Sequence, residues 1–235
     1  MCFTAIISSP SSIGHEGLSD LLQMVEEHHS WNNDGYALRA TDYSGKELLL
    51  RTLDFGEFSD FIETNSAAIE GSTLVHLHLR NATSRVCEEF VHLWEIGGWY
   101  CSHNGVLHDF AIGYNYCDSL EFFRSLSGSI ASEDWDAVAE SLRSIKSGRG
   151  VFLMSKKSEP KAVVASINKE ARVSKKGGAL AFSSDRWTGF TPLALQDGLW
   201  CTLGGESILD RLVVLDLRGQ EVEYSASLSR SARPR

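Results

Sequence analysis

The sequence predicts an α+β protein in which two β-sheets lie face to face and helices cover their outer surfaces. Apolar runs of strand length, separated by turns that contain Gly, Asp or Ser, dominate the chain up to Ser102. Apolar residues at helical spacing follow between residues 119 and 145, and strand patterns return after Gly150. With 235 residues and 43% hydrophobic content, the chain can form one sizeable core, so we expect a single domain.

The front of the chain begins with a short buried strand, Phe3–Ser8, which directly follows Cys2 and holds that cysteine at the end of a sheet. Apolar residues at helical spacing then predict a helix from Gly17 to His29, which ends in turn-forming residues. Further segments have the composition of strands: Tyr36–Ala40, Glu47–Leu53, Thr73–Arg80, Glu88–Trp94 and Trp99–Ser102.

Two helices are predicted in the middle of the chain. A short one lies around Ser119 to Leu126, and a longer one is capped by Ser132, with Gly148 just past its end. The strand patterns that follow are Val151–Ser155, Lys161–Ile167, Ala179–Ser183, Leu193–Leu203, Leu212–Asp216 and a last strand that starts at Leu217. Residues 225–235 are rich in Ser and Arg, and we expect them to be a frayed tail after a domain of residues 1–224.

Composition excludes several classes of function. A net charge of −9 is unfavourable for binding a nucleic-acid backbone, because that binding needs clustered Lys and Arg. The five cysteines form no CxxC pair, so neither a disulfide framework nor a structural zinc site is indicated, and a reducing cytoplasm fits best. The sequence contains no basic-then-apolar leader and no apolar run of the roughly 20 residues that a membrane span needs.

One predicted strand, Thr73–Arg80, carries an unusually polar face. Because side chains alternate along a strand, His76, His78 and Arg80 share one face, and three aliphatic residues share the other. The polar face could simply point to solvent, which is common in antiparallel sheets. A metal site is an alternative, with ligands among His76, His78, His92 and His103.

The segment Trp99–Leu107 contains His103, Asn104 and Gly105 in succession. An Asn-Gly pair is usually only a turn. Its functional interpretation is an oxyanion hole, because an Asn amide and a neighbouring backbone N–H can both bind one developing negative charge. The absence of a side chain on Gly105 would let the substrate approach the backbone closely.

Cys2 becomes a candidate nucleophile if Met1 is removed. Methionine removal is compatible with a small second residue, and it would leave Cys2 with its own α-amine. An α-amine titrates at about 7.7 to 8.0, so an appreciable fraction is neutral at pH 7 and can accept the thiol proton. Nucleophile and general base would then belong to the same residue.

Taken in order, these motifs resemble the class II glutamine amidotransferase family, whose members use an N-terminal nucleophile. The matching segments are Cys2, Asn33–Gly35, His78–Ser84, His103–Gly105 and Cys117–Ser119. The segments Gly150–Met154, Lys161–Ile167 and Ala181–Asp185 are similar to the second sheet of that family. The resemblance implies the Ntn-hydrolase fold, a four-layer αββα sandwich of two mostly antiparallel sheets.

The resemblance also implies roles for individual residues. Cys2 would be the nucleophile, and the Asn104 side chain with the Gly105 N–H would form the oxyanion hole. Arg80 would bind the α-carboxylate of glutamine through a two-point guanidinium contact, and Asp118 would bind the α-ammonium. The residues expected to contact substrate are therefore Arg80, Asp118, His78 and Thr83, and we expect neither a metal ion nor another cofactor.

The chain departs from the family pattern at some positions. Arg85 follows Ser84 where the family has a residue and then a glycine, which affects the shape of that loop. Asn81 replaces a common aromatic residue in one wall of the pocket, and Phe3 replaces a small or basic residue. The segment from Gly105 to Asp118 is shorter than in large synthases, which indicates a compact, divergent member.

Three functional hypotheses follow from the sequence. The leading one is a cytoplasmic glutaminase that supplies ammonia to an acceptor on a separate, synthetase-type subunit, because no synthetase region follows the glutaminase-sized part. The second is a stand-alone hydrolase of larger γ-glutamyl compounds. The third is an inactive structural or regulatory protein that retains the fold and its first methionine.

Overall fold

The computed structural model describes residues 2–110, 113–176, 178–185, 191–192 and 207–229. It has the predicted α+β architecture, in which two antiparallel sheets pack face to face between two layers of helices. The four-layer αββα prediction is therefore confirmed. The predicted strand Leu193–Leu203, residue Met1 and positions 230–235 of the predicted tail lie outside the described residues.

Among the described residues, the first sheet has eight strands and contains the N-terminal strand at its centre. Its strand order is β11-β9-β10-β1-β4-β2-β3, and β12 also pairs with β9. The strands are β1 (Phe3–Ser8), β2 (Tyr36–Asp42), β3 (Glu47–Thr52), β4 (Ser72–Leu79), β9 (Ala171–Lys176), β10 (Ala179–Ser183), β11 (Thr191–Pro192) and β12 (Ser207–Ile208). Because β1 pairs with both β4 and β10, Cys2 lies at the end of a central strand.

The second sheet, in the part of the chain that the structure describes, has six strands in the order β14-β13-β8-β7-β6-β5. Its strands are β5 (Trp94–Ile96), β6 (Trp99–Leu107), β7 (Gly148–Lys156), β8 (Lys161–Ile167), β13 (Arg211–Asp216) and β14 (Glu221–Ser227). Strand β14 passes the predicted start of the tail at Ser225, and Leu228 is buried, so this part of the tail is ordered structure rather than a frayed end. Pairing of Ser225 with Val213 is the physical reason.

The helices form the outer layers. Helices α1 (Gly14–His29), α2 (Phe55–Thr64) and α3 (Ser66–Glu70) contribute to a core on the outer face of the first sheet. Helices α4 (Asp118–Ser125), α5 (Ser127–Ala131) and α6 (Trp135–Ser144) do the same for the second sheet. A third core, which includes Ile6 from β1 and Leu153 from β7, joins the inner faces of the sheets. None of the described helices is long and apolar enough to cross a membrane.

The structure corrects two sequence-based assignments and adds elements that were not predicted. The segment Glu88–Trp94 is a 3₁₀ turn and an irregular loop that joins β5 only at Trp94. Its backbone carbonyls at Glu88, Glu89 and Val91 accept hydrogen bonds from the Arg51 side chain instead of from a neighbouring strand. Helix α6 is capped by Asp134, whose side chain accepts from Ala137 N, rather than by Ser132. Helices α2 and α3 and strand β9 were not predicted.

Candidate active site

A small pocket lies beside Cys2 and contains about 280 Å³ of empty space. Among the residues that line it are the predicted substrate contacts Arg80, Thr83 and Asp118, which come from separate parts of the chain. Gly105 and Asn81 also line it. The sandwich therefore brings the predicted nucleophile and three predicted binding residues to one cavity.

The Cys2 thiol is held by the backbone of Asn81. Its Sγ atom lies 3.4 Å from the Asn81 carbonyl oxygen and 3.4 Å from the Asn81 nitrogen. Burial raises the pKa of the Cys2 thiol above its ordinary value, and the Asn81 hydrogen bond and the Arg80 charge oppose this increase. The resting Cys2 side chain is thus a thiol, and it would need a base to become a thiolate.

Arg80 is buried and its guanidinium is oriented by the loop that follows β4. The Nη2 atom donates to Ser84 Oγ at 3.0 Å and to the Arg85 carbonyl oxygen at 3.1 Å. The contact from residue 85 comes from its backbone, so the Arg85 side chain is not what orients the guanidinium. The loop itself is held at its start, because Ala82 N donates to Asp34 Oδ2 at 2.7 Å.

Asp118 occupies the first position of helix α4. One carboxylate oxygen accepts from Leu107 N at 2.7 Å, and the other accepts from Ser119 N at 2.8 Å and Ser119 Oγ at 3.1 Å. These bonds fix the carboxylate relative to the end of β6. A negative charge at a helix N-terminus is also favoured by the helix dipole.

Asn104 and Gly105 lie inside β6 rather than in a turn, because β6 continues to Leu107. The Asn104 Nδ2 atom is 2.7 Å from Ser184 Oγ, and Asn104 Oδ1 is buried with no partner among the described residues. A Cβ atom on Gly105 would lie 2.0 Å from the Arg149 carbonyl oxygen. Close packing of β6 on β7 therefore demands a glycine at this position, independently of any catalytic role.

The polar face of β4 points into the protein, so the hypothesis that it faces solvent was wrong. His76, His78 and Arg80 are all buried because β4 is central in its sheet and this face packs on the second sheet. His78 Nε2 lies 3.3 Å from the His103 carbonyl oxygen. Burial lowers the pKa of His78 to about 3, so its imidazole is neutral at physiological pH.

His92 is a pocket residue that was considered in the sequence only as a metal ligand. Its ring stacks on that of His78 with centroids 3.7 Å apart, and its Nδ1 atom accepts from His103 N at 3.2 Å. Burial lowers the pKa of His92 well below its ordinary value. Within the described parts of the chain, no group of three or more His, Cys, Asp or Glu side chains is arranged to hold a metal ion.

Ser119 and Ser184 lie in segments that match the family, but no role was predicted for either serine. Ser119 Oγ lies 2.8 Å from His103 Nδ1, while Ser184 contacts Asn104. Burial lowers the pKa of His103 to about 4, although the nearby Asp118 charge acts in the opposite direction. Single serines carry no sequence pattern that distinguishes such contacts, so only the fold could reveal them.

Comparisons with known proteins add to this geometry. No protein-family model matches the chain, and a search of curated proteins finds no match. Among solved structures, a glutamine phosphoribosylpyrophosphate amidotransferase from B. subtilis is similar with a TM-score of 0.61 at 15% identity, over 98% of this chain and 50% of that one. The chain thus spans about half the length of that amidotransferase.

A second similar structure is a glutamine aminotransferase class-II domain protein from Silicibacter pomeroyi. Its TM-score is 0.54 at 12% identity, and the similarity covers 97% of this chain and 100% of that one. Both similarities extend over almost the whole chain and agree with the sandwich of two antiparallel sheets described above. The chain therefore has the fold of the class II glutamine amidotransferases, the family that its motifs resemble.

Proposed function

We propose that this protein hydrolyses the side-chain amide of glutamine, with Cys2 as the nucleophile and ammonia as a product. The observation that carries the proposal is the single pocket in which Cys2, Arg80, Thr83 and Asp118 meet. A thiol, a cation and an anion around one small cavity suit a zwitterionic amino acid with a reactive side chain.

Arg80 and Asp118 would fix the amino-acid end of the substrate. The guanidinium of Arg80 binds the α-carboxylate in a two-point contact, which a lysine could not reproduce. Asp118, held by Leu107 N and Ser119, binds the α-ammonium. Thr83 contributes a hydroxyl at the edge of the pocket, and the side-chain amide of the substrate is directed toward Cys2 Sγ.

The reaction begins after removal of Met1. The free α-amine of Cys2 takes the thiol proton, and the thiolate attacks the amide carbon to form a tetrahedral oxyanion. The Asn104 side chain and the Gly105 N–H stabilise that oxyanion. The C–N bond then breaks, the amine proton passes to the leaving nitrogen, and ammonia departs from a γ-glutamyl thioester. Water hydrolyses the thioester, releases glutamate and restores the thiol.

The ammonia would be used by an acceptor site on a separate, synthetase-type protein. We further propose a single glutaminase-type domain that starts at Cys2 and includes β14. A cytoplasmic location fits the free thiols of Cys2, Cys87, Cys101 and Cys117.

Intact-mass analysis before and after incubation with 6-diazo-5-oxo-norleucine tests the nucleophile and the glutamine pocket together. We expect a mass without Met1 and a covalent adduct that disappears in Cys2→Ala. Cys117→Ala is the matched control, since Cys117 lines the same pocket but should not be required for the adduct. Glutamine hydrolysis is assayed in parallel.

Two other outcomes identify the alternatives. Retained Met1 with no adduct and no hydrolysis would contradict the proposal and favour an inactive scaffold. Faster hydrolysis of γ-glutamyl peptides than of glutamine would favour the stand-alone γ-glutamyl hydrolase. Stimulation of glutaminase activity by an added synthetase would support the separate acceptor.

A further inference from the structure

The side chain of Asn104 meets the hydroxyl of Ser184 in the interior. Asn104 and Ser184 are 2% and 5% exposed, respectively, and Asn104 Nδ2 lies 2.7 Å from Ser184 Oγ. The same Oγ atom accepts a hydrogen bond from Thr4 N at 3.1 Å. Ser184 N in turn donates to the Thr4 carbonyl oxygen at 2.9 Å, so Ser184 joins Asn104 to the strand that carries Cys2.

When Asn104 Nδ2 is directed at Ser184 Oγ, some polar atoms of Asn104 and Ser184 have no hydrogen-bond partner. Both Asn104 Nδ2 and Thr4 N donate to Ser184 Oγ, and the described residues offer no acceptor for the Ser184 hydroxyl proton. Asn104 Oδ1 is also buried without a partner in the described part of the chain. Two polar groups are therefore unsatisfied among the described residues, and an unsatisfied polar group is unfavourable when it is buried.

Rotating the Asn104 carboxamide by half a turn leaves one unsatisfied polar group instead of two. The oxygen and nitrogen of an Asn amide have nearly the same shape, so this rotation leaves the packing unchanged. Asn104 Oδ1 then accepts the Ser184 hydroxyl proton, while Ser184 Oγ still accepts from Thr4 N. One unsatisfied group remains, the Asn104 NH₂, and it is a donor.

We propose that Ser184 is a positioning residue that orients the Asn104 amide, with its oxygen bound to Ser184 and its NH₂ free for the oxyanion of the reacting substrate. This inference rests on the proposed glutaminase function. The free NH₂ finds its strongest acceptor when negative charge develops on the substrate oxygen. An interaction that is made mainly in the transition state raises kcat more than it lowers KM.

Kinetics of Ser184→Ala measure the effect of this contact. We expect kcat to fall about tenfold, less than the 10² to 10³ expected for loss of the donor itself, with KM nearly unchanged. Ser184→Thr, which retains the hydroxyl, should recover most of kcat. Ser166→Ala is a matched control, since it removes another buried hydroxyl, bonded to the Ile208 carbonyl at 2.6 Å, and should leave kcat unchanged.

A double-mutant cycle tests whether Ser184 acts through Asn104. In an Asn104→Ala background, Ser184→Ala should cause no further loss of kcat, because the amide that it orients is absent. An equal loss of kcat in both backgrounds would overturn the proposal, as would an effect on KM alone. Either result would leave the proposed function intact, since wild-type hydrolysis is measured separately.

Neutron diffraction of the deuterated protein determines the orientation of the Asn104 amide and does not depend on an activity assay. Deuterons on the Asn104 nitrogen that point away from Ser184 would support the inference. Deuterons directed at Ser184 Oγ would overturn it. A wild-type protein that hydrolyses no glutamine would refute the proposed function, and the amide orientation would still be determined.

Discussion

Two polar clusters lie inside the sandwich, and they differ in how completely their atoms are paired. In the Arg39 cluster (Arg39, Glu47, His76, Ser102, Ser155), Arg39 donates to Glu47 at 2.6 Å and to Ser155 at 3.1 Å. Both ring nitrogens of His76 are bonded, to Ser155 at 2.9 Å and to Ser102 at 2.8 Å. In the Cys2 cluster (Cys2, His78, His103, Asn104), His78 Nδ1 and Asn104 Oδ1 have no partner among the described residues.

The difference indicates different roles for the two clusters. Buried polar groups are normally paired, and a fully paired network rigidifies the interior, as the Arg39 cluster does. Unpaired groups cost free energy in the resting protein and are expected where function requires them. Cys2 and His103 of the Cys2 cluster line the pocket, so the unpaired groups of this cluster lie next to the cavity in which a substrate would bind.

The largest effect is expected from Asn104→Ala, which changes the Cys2 cluster. Turnover of glutamine should fall by about 10² to 10³, because one oxyanion donor is lost. Stability in urea should change little, since the deleted side chain is not fully paired. Turnover close to that of the wild type, measured by steady-state glutaminase kinetics, would exclude this role for Asn104.

Glu47→Gln breaks the Arg39 cluster by leaving the Arg39 charge buried without its ion-pair partner. We expect the free energy of unfolding to drop by about 3 kcal/mol, while the folded protein keeps its kcat. Glu95→Gln is the control, because Glu95 pairs with Lys157 on the surface and should contribute less than about 1 kcal/mol. Equal effects of the two substitutions in urea denaturation would contradict the assigned role.

Acidification should destabilise the protein through its buried histidines. The pKa values of His78 and His103 are lowered to about 3 and about 4 in the folded state, so below pH 6.5 the unfolded state binds more protons. The contribution of each histidine to the free energy of unfolding is fully present above pH 6.5. It is lost as pH falls toward 4, by about 1.4 kcal/mol per pH unit for each histidine.

Urea denaturation between pH 7.5 and 4.5 measures this slope. His103→Gln should reduce the slope by the contribution of one histidine. A free energy of unfolding that does not vary between pH 7 and pH 5 would show that the buried histidines do not stay neutral.

The smallest effect is expected from Gly150→Ala, which perturbs the packing of the Cys2 cluster. A Cβ atom at position 150 would lie 2.0 Å from His103 Nε2, so the imidazole must move and its bond to Ser119 weakens. We expect a loss of about 1 kcal/mol in urea denaturation. Gly128→Ala, in a helix with open space around it, should be neutral or stabilising; equal losses at both positions would contradict the packing argument.

Much of the fold could be predicted because many strands have clear apolar patterns, as in Phe3–Ser8 and Lys161–Ile167. Strand β9 was missed, because its sequence ARVSKK resembles a polar loop and only its pairing with β10 makes it a strand. The segment Glu88–Trp94 has strand-like composition, but Leu93 adopts a positive φ of 62° and Arg51 binds the carbonyls. Local composition does not contain these long-range partners.

The sequence by itself determined that Cys2 precedes a buried strand and that His76, His78 and Arg80 share one face of β4. Both follow from side-chain periodicity, which depends only on local backbone geometry. The tertiary structure decided what that face meets, namely Ser102, Ser155 and His103 of the second sheet. It also placed Ser184 on Asn104 and His92 in the pocket. Periodicity assigns residues to a face, but only packing of the two sheets selects the partners of that face.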